Sequence, residues 1–459
     1  MKITLALDST SLTKRYPKAA VGLTLILLLL IPLLLGVLLV LLPFNRPEAL
    51  NALIQRLFGW DLAHNPYRET WYAVMLVTVG LIVALFTAVF AGATTWVERR
   101  VAGRIQSRIG PNRPGALGFA GWVADAVKSL FKEDLIPADA DHLLFRAAPY
   151  FSMVGLMLPF VVLPFGESVV VADMNVGVFY LTATSAFVVV GILIAGWASN
   201  SKWALFGGVR AAAQVISYEI PAGIAIMVPI LMAGSLSMQD IVRAQGGAPW
   251  QWFVFQNPAA FVAFFISVTA SLAEGNRTPF DLPEAESELV AGYHAEYSGF
   301  RMAIYLMVEW ANLWIMGGLA TTLFLGGWQI PFVSVETIQA TRGAGALPSL
   351  AWYGLQALSM AIFAGKTIAL VLVFIWLRWT LPRVRVDQMM SLCWKYLVPG
   401  AFACFIFTLF WQLLVPHTAQ MVVGGLLTAV ALGLTVKFLM LTRKNIADVK
   451  GASVDFSNW

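Results

Sequence analysis

Charge is what this 459-residue chain has least of: 12% of its residues are Asp, Glu, Lys or Arg, against 59% that are hydrophobic. Soluble domains carry about twice that charged fraction, so a soluble enzyme is excluded and an all-α polytopic membrane protein is expected. Cysteine is nearly absent too. Cys393 and Cys404 stand far apart without a CxxC spacing, and the four histidines (His64, His142, His294, His417) are scattered. That is too few ligands for an iron–sulfur cluster, and no pair of histidines lies within spans to hold a haem. No phosphate-cradling glycine loop, metal-spaced histidine cluster, nucleophile constellation or internal repeat is evident. Electron chemistry must then come from partners or a diffusible carrier. The net charge of +5 is no nucleic-acid signal, because the basic residues sit between apolar runs, where they set topology.

What is present is apolar length. Ten segments reach or approach the ~20 residues that a span needs: 19–43, 71–97, 147–166, 178–198, 215–234, 258–273, 302–325, 351–378, 396–415 and 419–441. The first follows Lys14, Arg15 and Lys18 in the manner of a signal peptide, but its apolar core is too long and no small-residue cleavage site follows. A retained helix is expected there. With the N-terminus inside, inner connections hold 23 of the 30 Lys and Arg and outer connections hold 5. This bias predicts both termini in the cytoplasm. The long connection 98–146 then faces inward. It begins with Arg99, Arg100, Arg104 and Arg108, passes a rigid Gly110-Pro111-Asn112-Arg113-Pro114-Gly115 turn, and continues into an amphipathic helix over about Phe119 to Phe131. The connection 199–214, with Gly207, Gly208 and Arg210, is expected to be a tight inner corner.

One inner connection differs from the rest. Ala273 to Arg301 carries Glu274, Asp281, Glu284, Glu286, Glu288 and Glu296, nearly a quarter of the 25 acidic residues, against Arg277 and Arg301 alone. Pro279 and Pro283 predict a rigid turn in its first half, and a short helix is expected after Pro283, interrupted or ended at Gly292 and Gly299. Ionisable residues inside spans are functional by default. Glu219 precedes Pro221, which frees backbone carbonyls; Glu309 and Lys366 lie in separate spans and could pair. From residues alone three classes stand: a proton-conducting, quinone-contacting subunit of a redox pump, a secondary transporter with a cationic substrate, and a structural anchor for a soluble complex. Missing repeat symmetry weighs against the second, and the embedded Glu219 and Glu309 against the third.

Four motifs narrow the choice. The ERR…GR…GPNRPG…LFKED loop, AGWASNSK with VRAAAQVISYEIP, the 273–301 stretch and LPRVRVDQMM together resemble the H-subunit family of NADH-quinone oxidoreductase (respiratory complex I), over roughly residues 71–415. The resemblance implies a membrane subunit beneath a soluble arm, forming most of a quinone chamber and coupling quinone reduction to proton translocation. It implies no cofactor held covalently or as a metal, quinone (ubiquinone or a relative) as substrate, and NADH and iron–sulfur clusters on partner subunits. The implied partners are the soluble-arm quinone-site subunits, the antiporter-like membrane subunits and membrane lipid, in a bacterial inner membrane. By matching positions, Glu98, Arg99, Arg104, Arg108 and Arg113 would border the quinone path from the first loop, and Phe280, Asp281, Glu284, Glu286, Glu288 and Glu296 from the acidic loop. Glu219, Glu274 and Glu309 would start the proton route. Residues 1–70 are expected as an N-terminal extension with one extra span and an outer loop, 71–415 as the family core, and 416–459 as an extra C-terminal helix and tail. The chain departs from some relatives at 178–198, which carries no carboxylate; Ala186 occupies the candidate position.

Overall fold

A backbone crossing lipid must satisfy its own N–H and C=O groups, and long apolar runs do so as helices. The computed structural model describes residues 68–113, 115–283, 286–341 and 350–451, and every regular element among them is helical. The first, α1 (Arg68–Ile105), runs down to the basic loop, and α2 (Gly121–Phe131) is the amphipathic helix expected from its sequence pattern. Then come α3 (His142–Met157), α4 (Gly177–Ala198), α5 (Lys202–Ala233), the short α6 (Met238–Ala244) and α7 (Phe253–Gln256), and α8 (Pro258–Glu274). After the one-turn α9 (Glu286–Leu289) follow α10 (Gly299–Phe324), α11 (Val335–Ala340), α12 (Leu350–Thr380), α13 (Val386–Leu392), α14 (Val398–Leu414) and α15 (His417–Gly451). Among the described residues eight helical stretches are long and apolar enough to cross a membrane, and Pro258–Glu274 is a shorter apolar helix. These nine answer to nine of the ten expected spans; 19–43, and nearly all of the outer loop 44–70, lie outside the described residues.

Three boundaries are corrected. The span expected to end at 97 continues to Ile105, so Glu98, Arg99 and Arg104 stand on a helix rather than in a loop. The span expected at 215–234 starts at Lys202, which shrinks the corner to Ser199–Ser201, with Asn200 turning it at φ 47°. Gly207 and Gly208 are therefore helical. They serve close approach instead of a bend: a Cβ on Gly208 would lie 3.2 Å from the Gly196 Cα, and one on Gly207 2.6 Å from the Tyr293 backbone nitrogen. The helix expected at 396–415 begins at Val386 and passes through a π turn, Cys393–Leu397.

The core gathers around α10, which is apolar on all sides from Trp310 to Phe324 and buried there except at Asn312, as a central helix must be. Trp314 is ringed by Phe86, Phe90, Phe165 and Phe363. The end of the bundle away from the charged loops is tied by polar groups. Gln239 bonds the carbonyls of Gly166 and Glu167 and accepts from Trp328, while Gln339 and Gln356 donate to the Glu167 carboxylate. Lys366 caps the C-terminus of α10, donating to the carbonyls of Leu325 (2.7 Å) and Gly327 (3.0 Å) over the Trp252 ring. The pairing of Lys366 with Glu309 that the sequence left open is not found: helix-end carbonyls take the ammonium, and Glu309 has a guanidinium.

Candidate functional site at the acidic loop

The acidic stretch folds because neighbouring helices bind its backbone. Gln214, wholly buried on α5, donates to the carbonyls of Ala273 and Phe280 and to the Asn276 side chain. The Arg277 amide bonds back to Leu272, and Val384 donates to Pro279. Asn276 takes a positive φ of 49°, a conformation that asparagine tolerates better than most residues. The result is the rigid first half that Pro279 and Pro283 predict. A one-turn helix, Glu286–Leu289, and a 3-10 turn, Gly292–His294, follow before α10 starts at Gly299.

This fold delivers Arg277 to the bundle interior, 2% exposed, with its guanidinium 3.9 Å from the Trp310 ring centroid. It lies 3.3 Å from the Glu309 carboxylate on α10 and 3.8 Å from that of Glu98 on α1. Glu98 also pairs with Arg378 at 2.9 Å and accepts from the Trp379 indole. Asp281 pairs with Arg383 at 3.1 Å. Three carboxylates and three guanidiniums thus meet, drawn from α1, the acidic loop, α10, the end of α12 and the segment after it. Arg277 and the carboxylates are largely removed from solvent, while Arg378 and Arg383 are partly exposed. A buried charge without a partner is costly, so each member depends on the others.

From Glu309 a row of carboxylates continues inward. A cavity of about 20 Å³, the size of one water, is lined by Glu309, Glu274, Asn276, Asn312, Ser152 and Tyr305. Glu274 is shared with a second cavity of about 360 Å³, where it is joined by Glu219, Ser185, Ser267 and Ser271 among apolar side chains of α4, α5 and α10. Glu98, Arg277, Glu309, Glu274 and Glu219 form one succession. Ala186, next to Ser185 on α4, is exposed and does not line this cavity.

The remaining candidates form an outer rim. Arg99 pairs with Asp125 on α2 at 2.7 Å, and both are substantially exposed. Partial burial raises the Asp125 carboxyl, but Arg99 and Lys128 outweigh it and hold the group below its usual range. Arg104, Arg108 and Arg113 are exposed. Arg100 instead secures the Gly-Pro turn, donating to the carbonyls of Leu117 (2.8 Å) and Pro111. Glu288 is exposed and meets Arg210 at 2.6 Å; Glu296 is half-buried. Phe280 is buried against Tyr218. Glu284 and the Glu286 side chain lie outside the described residues. The two loops touch: Ser298 accepts from the Leu135 amide and donates to the Glu133 carbonyl, and Arg301 pairs with Asp134 at 3.1 Å. The structure therefore gathers Glu98, Asp281, Glu309, Glu274 and Glu219 and leaves Arg99, Arg104, Arg108, Arg113 and Glu288 at the surface.

Two residues of the loop's second half have their protonation set by burial. The Tyr297 hydroxyl is pushed up to about 12, which keeps it a donor, and it bonds the Phe145 carbonyl at 3.2 Å under a parallel ring stack. Burial pushes the His294 imidazole down to about 4. Above pH ~6.5, the ordinary histidine value, it is neutral folded or unfolded and adds no pH dependence. As pH falls from there toward 4 the unfolded chain binds the extra proton, so stability is lost across that window. The thermal midpoint of the purified complex is expected to fall between those values, and to fall less steeply in His294→Phe; identical slopes would show that His294 contributes nothing.

Arg277, Arg378, Arg383 and Asn312 join the site without standing out in the sequence as functional groups. Arg277 is visible there as one of two cations in an acidic stretch, but its carboxylate partners lie on distant helices.

Known proteins can be set beside this geometry. Residues 77–409 match the family described as "NADH dehydrogenase". The chain is 64% identical over 392 residues to the NADH-quinone oxidoreductase H subunit of Anaeromyxobacter dehalogenans (strain 2CP-C), covering 85% of this chain and 94% of that relative. It is 42% identical over 356 residues to the protein of the same name from Chlorobaculum tepidum, covering 77% of this chain and 96% of the relative. It is also 41% identical over 343 residues to the protein of that name from Dehalococcoides mccartyi (strain CBDB1), covering 75% of this chain and 88% of the relative.

Proposed function

The chain belongs to the NADH dehydrogenase family, among the H subunits of NADH-quinone oxidoreductase, and from that premise we propose that it walls the quinone chamber and opens the proton route of a proton-translocating complex. One observation carries this reading: the succession of embedded carboxylates that begins at the ion cluster beneath the two charged loops and ends at Glu219. Glu98, Asp281, Phe280 and the loop residues Glu284, Glu286, Glu288 and Glu296 border the quinone side. Arg99, Arg104, Arg108 and Arg113 form a basic rim facing the soluble-arm subunits. Glu309, Glu274 and Glu219 lead toward the antiporter-like membrane subunits. The chain itself supplies no redox centre; electrons arrive from NADH through iron–sulfur clusters on partners. The assembly lies in a bacterial inner membrane, in contact with lipid, with both termini in the cytoplasm.

The physics fits the task. Reduction of a quinone consumes two electrons and two protons and yields the quinol. Charge appearing during that step in a low-dielectric chamber acts strongly on nearby carboxylates. Glu98 and Glu309 share one guanidinium, so a change of charge on either alters the hold of Arg277 on the other. Asn312 touches both cavities, and the small one has room for one water between Glu309 and Glu274. The groups needed to pass a proton inward stand in order.

Replacing Glu219 with Gln in the assembled complex tests the reading. The expected result is normal NADH oxidation by an artificial soluble-arm acceptor, with proton translocation reduced by ~10²-fold, the scale of a lost proton-transfer group. Unchanged translocation would take Glu219 out of the route.

A further inference from the structure

Proline inside a helix deprives the carbonyl four residues back of its usual N–H donor. Pro149 in α3 does this to Phe145, and Pro221 in α5 does it to Ser217. In both cases a side chain from elsewhere in the chain supplies the missing donor. The Tyr297 hydroxyl, at the end of the acidic loop, donates to the Phe145 carbonyl at 3.2 Å. The Cys393 thiol, at the head of the π turn, donates to the Ser217 carbonyl at 3.1 Å. All four residues are buried. The two fastenings use different helices, donors and partner segments, and both adjoin the carboxylate row: Ser217 is two residues from Glu219, and Tyr297 closes the loop that carries Arg277.

We propose that Tyr297 and Cys393 are positioning residues that latch onto proline-freed carbonyls, holding the acidic loop on α3 and the Glu219 turn of α5 on the π turn, so that the carboxylates keep their order during turnover. The π turn fits this use. Its wider winding redirects the chain where the apolar helix continues, and such turns recur at functional positions. A thiol is a weak donor, enough to satisfy a carbonyl while leaving the contact easy to break and remake. The match holds at Pro149 and Pro221, which adjoin the acidic loop and Glu219, while Pro229 near the far end of α5 has no such side-chain donor among the described contacts. Deleting the donor orphans the carbonyl, whereas changing the proline to alanine restores an N–H and makes the donor dispensable.

The functional half of this inference rests on Glu219 belonging to the proton route, so the test has a readout that does not. In the intact complex, Cys393→Ala and Tyr297→Phe are each expected to lower protons translocated per electron by ~5-fold or more, the lower end of what one unpaired buried carbonyl costs. Hydrogen–deuterium exchange is expected to speed up around residues 217–222 and 145–149 respectively. Adding Pro221→Ala to the first variant, and Pro149→Ala to the second, should return both readouts toward wild type. Cys393→Ser keeps a donor and should stay near wild type, which rescues the test if the alanine variant fails to assemble. Exchange unchanged by the donor deletions, or deletions that the proline changes do not relieve, would overturn the latch whatever Glu219 does. If Glu219→Gln leaves translocation intact while the exchange pattern follows the pairs, the latch stands and the proton reading falls.

Discussion

Arg277→Met is expected to leave little assembled complex, and what assembles is expected to have lost quinone reduction. Arg277 is 2% exposed and lies between Glu98 and Glu309, at 3.8 and 3.3 Å. Methionine matches much of its length but none of its charge. Removing one partner of a buried pair costs about 3–5 kcal/mol, because the remaining charge has lost its solvent and its counterion. Here two carboxylates are left: Glu98 keeps Arg378, while Glu309 loses the guanidinium that the structure places against it. The deficit should therefore fall mainly on Glu309. Adding Glu309→Gln to Arg277→Met should recover part of the assembly, as read from native gels of solubilised membranes. Wild-type amounts of active complex with Arg277→Met alone would mean that the cluster does not carry buried charge.

Glu309→Gln alone is the second large effect, with the opposite pattern. Glutamine preserves volume and can still bond Arg277, so assembly and electron transfer to an artificial soluble-arm acceptor should persist. The carboxylate is gone, so on the proposed route the step between the ion cluster and the small cavity has no proton carrier at Glu309. Proton translocation should drop by ~10²-fold, the range for removing a positioned acid–base group. Quinone reduction should fall with it if the two are coupled through this residue. Proton uptake by inverted vesicles measures the first and spectrophotometric quinol formation the second. A variant that pumps normally would remove Glu309 from the route.

Much of this architecture is legible in the sequence, because lipid allows few solutions. A 20-residue apolar run must be a helix, and nine of the ten expected spans lie where the apolar runs are. The ends of helices are less legible, since polar residues continue a helix when something nearby compensates their burial. Glu98 reads in sequence as the start of a loop, yet Arg277, Arg378 and Trp379 allow it to remain inside α1. Gly207 and Gly208 read as a corner and are instead the smooth face that α4 and the Tyr293 turn pack against. The carboxylates of the site are visible because ionisable residues stand out in an apolar chain. Their partners are not: Arg277 and Lys366 obey no local spacing, and only the fold shows that one neutralises Glu309 and the other caps α10. The Tyr297 and Cys393 bonds are invisible for the same reason, although Pro149 and Pro221 already mark which carbonyls would need a donor.

Glu274 is the carboxylate that lines both cavities, so the proposed route from Glu309 to Glu219 runs through it. The decisive measurement is the number of protons translocated per electron in vesicles carrying Glu274→Gln, with artificial-acceptor activity confirming that the soluble arm is intact. A ratio that falls well below wild type while that activity holds is the predicted result. A wild-type ratio would contradict the proposed route, because protons would then be reaching the rest of the membrane arm without passing the junction.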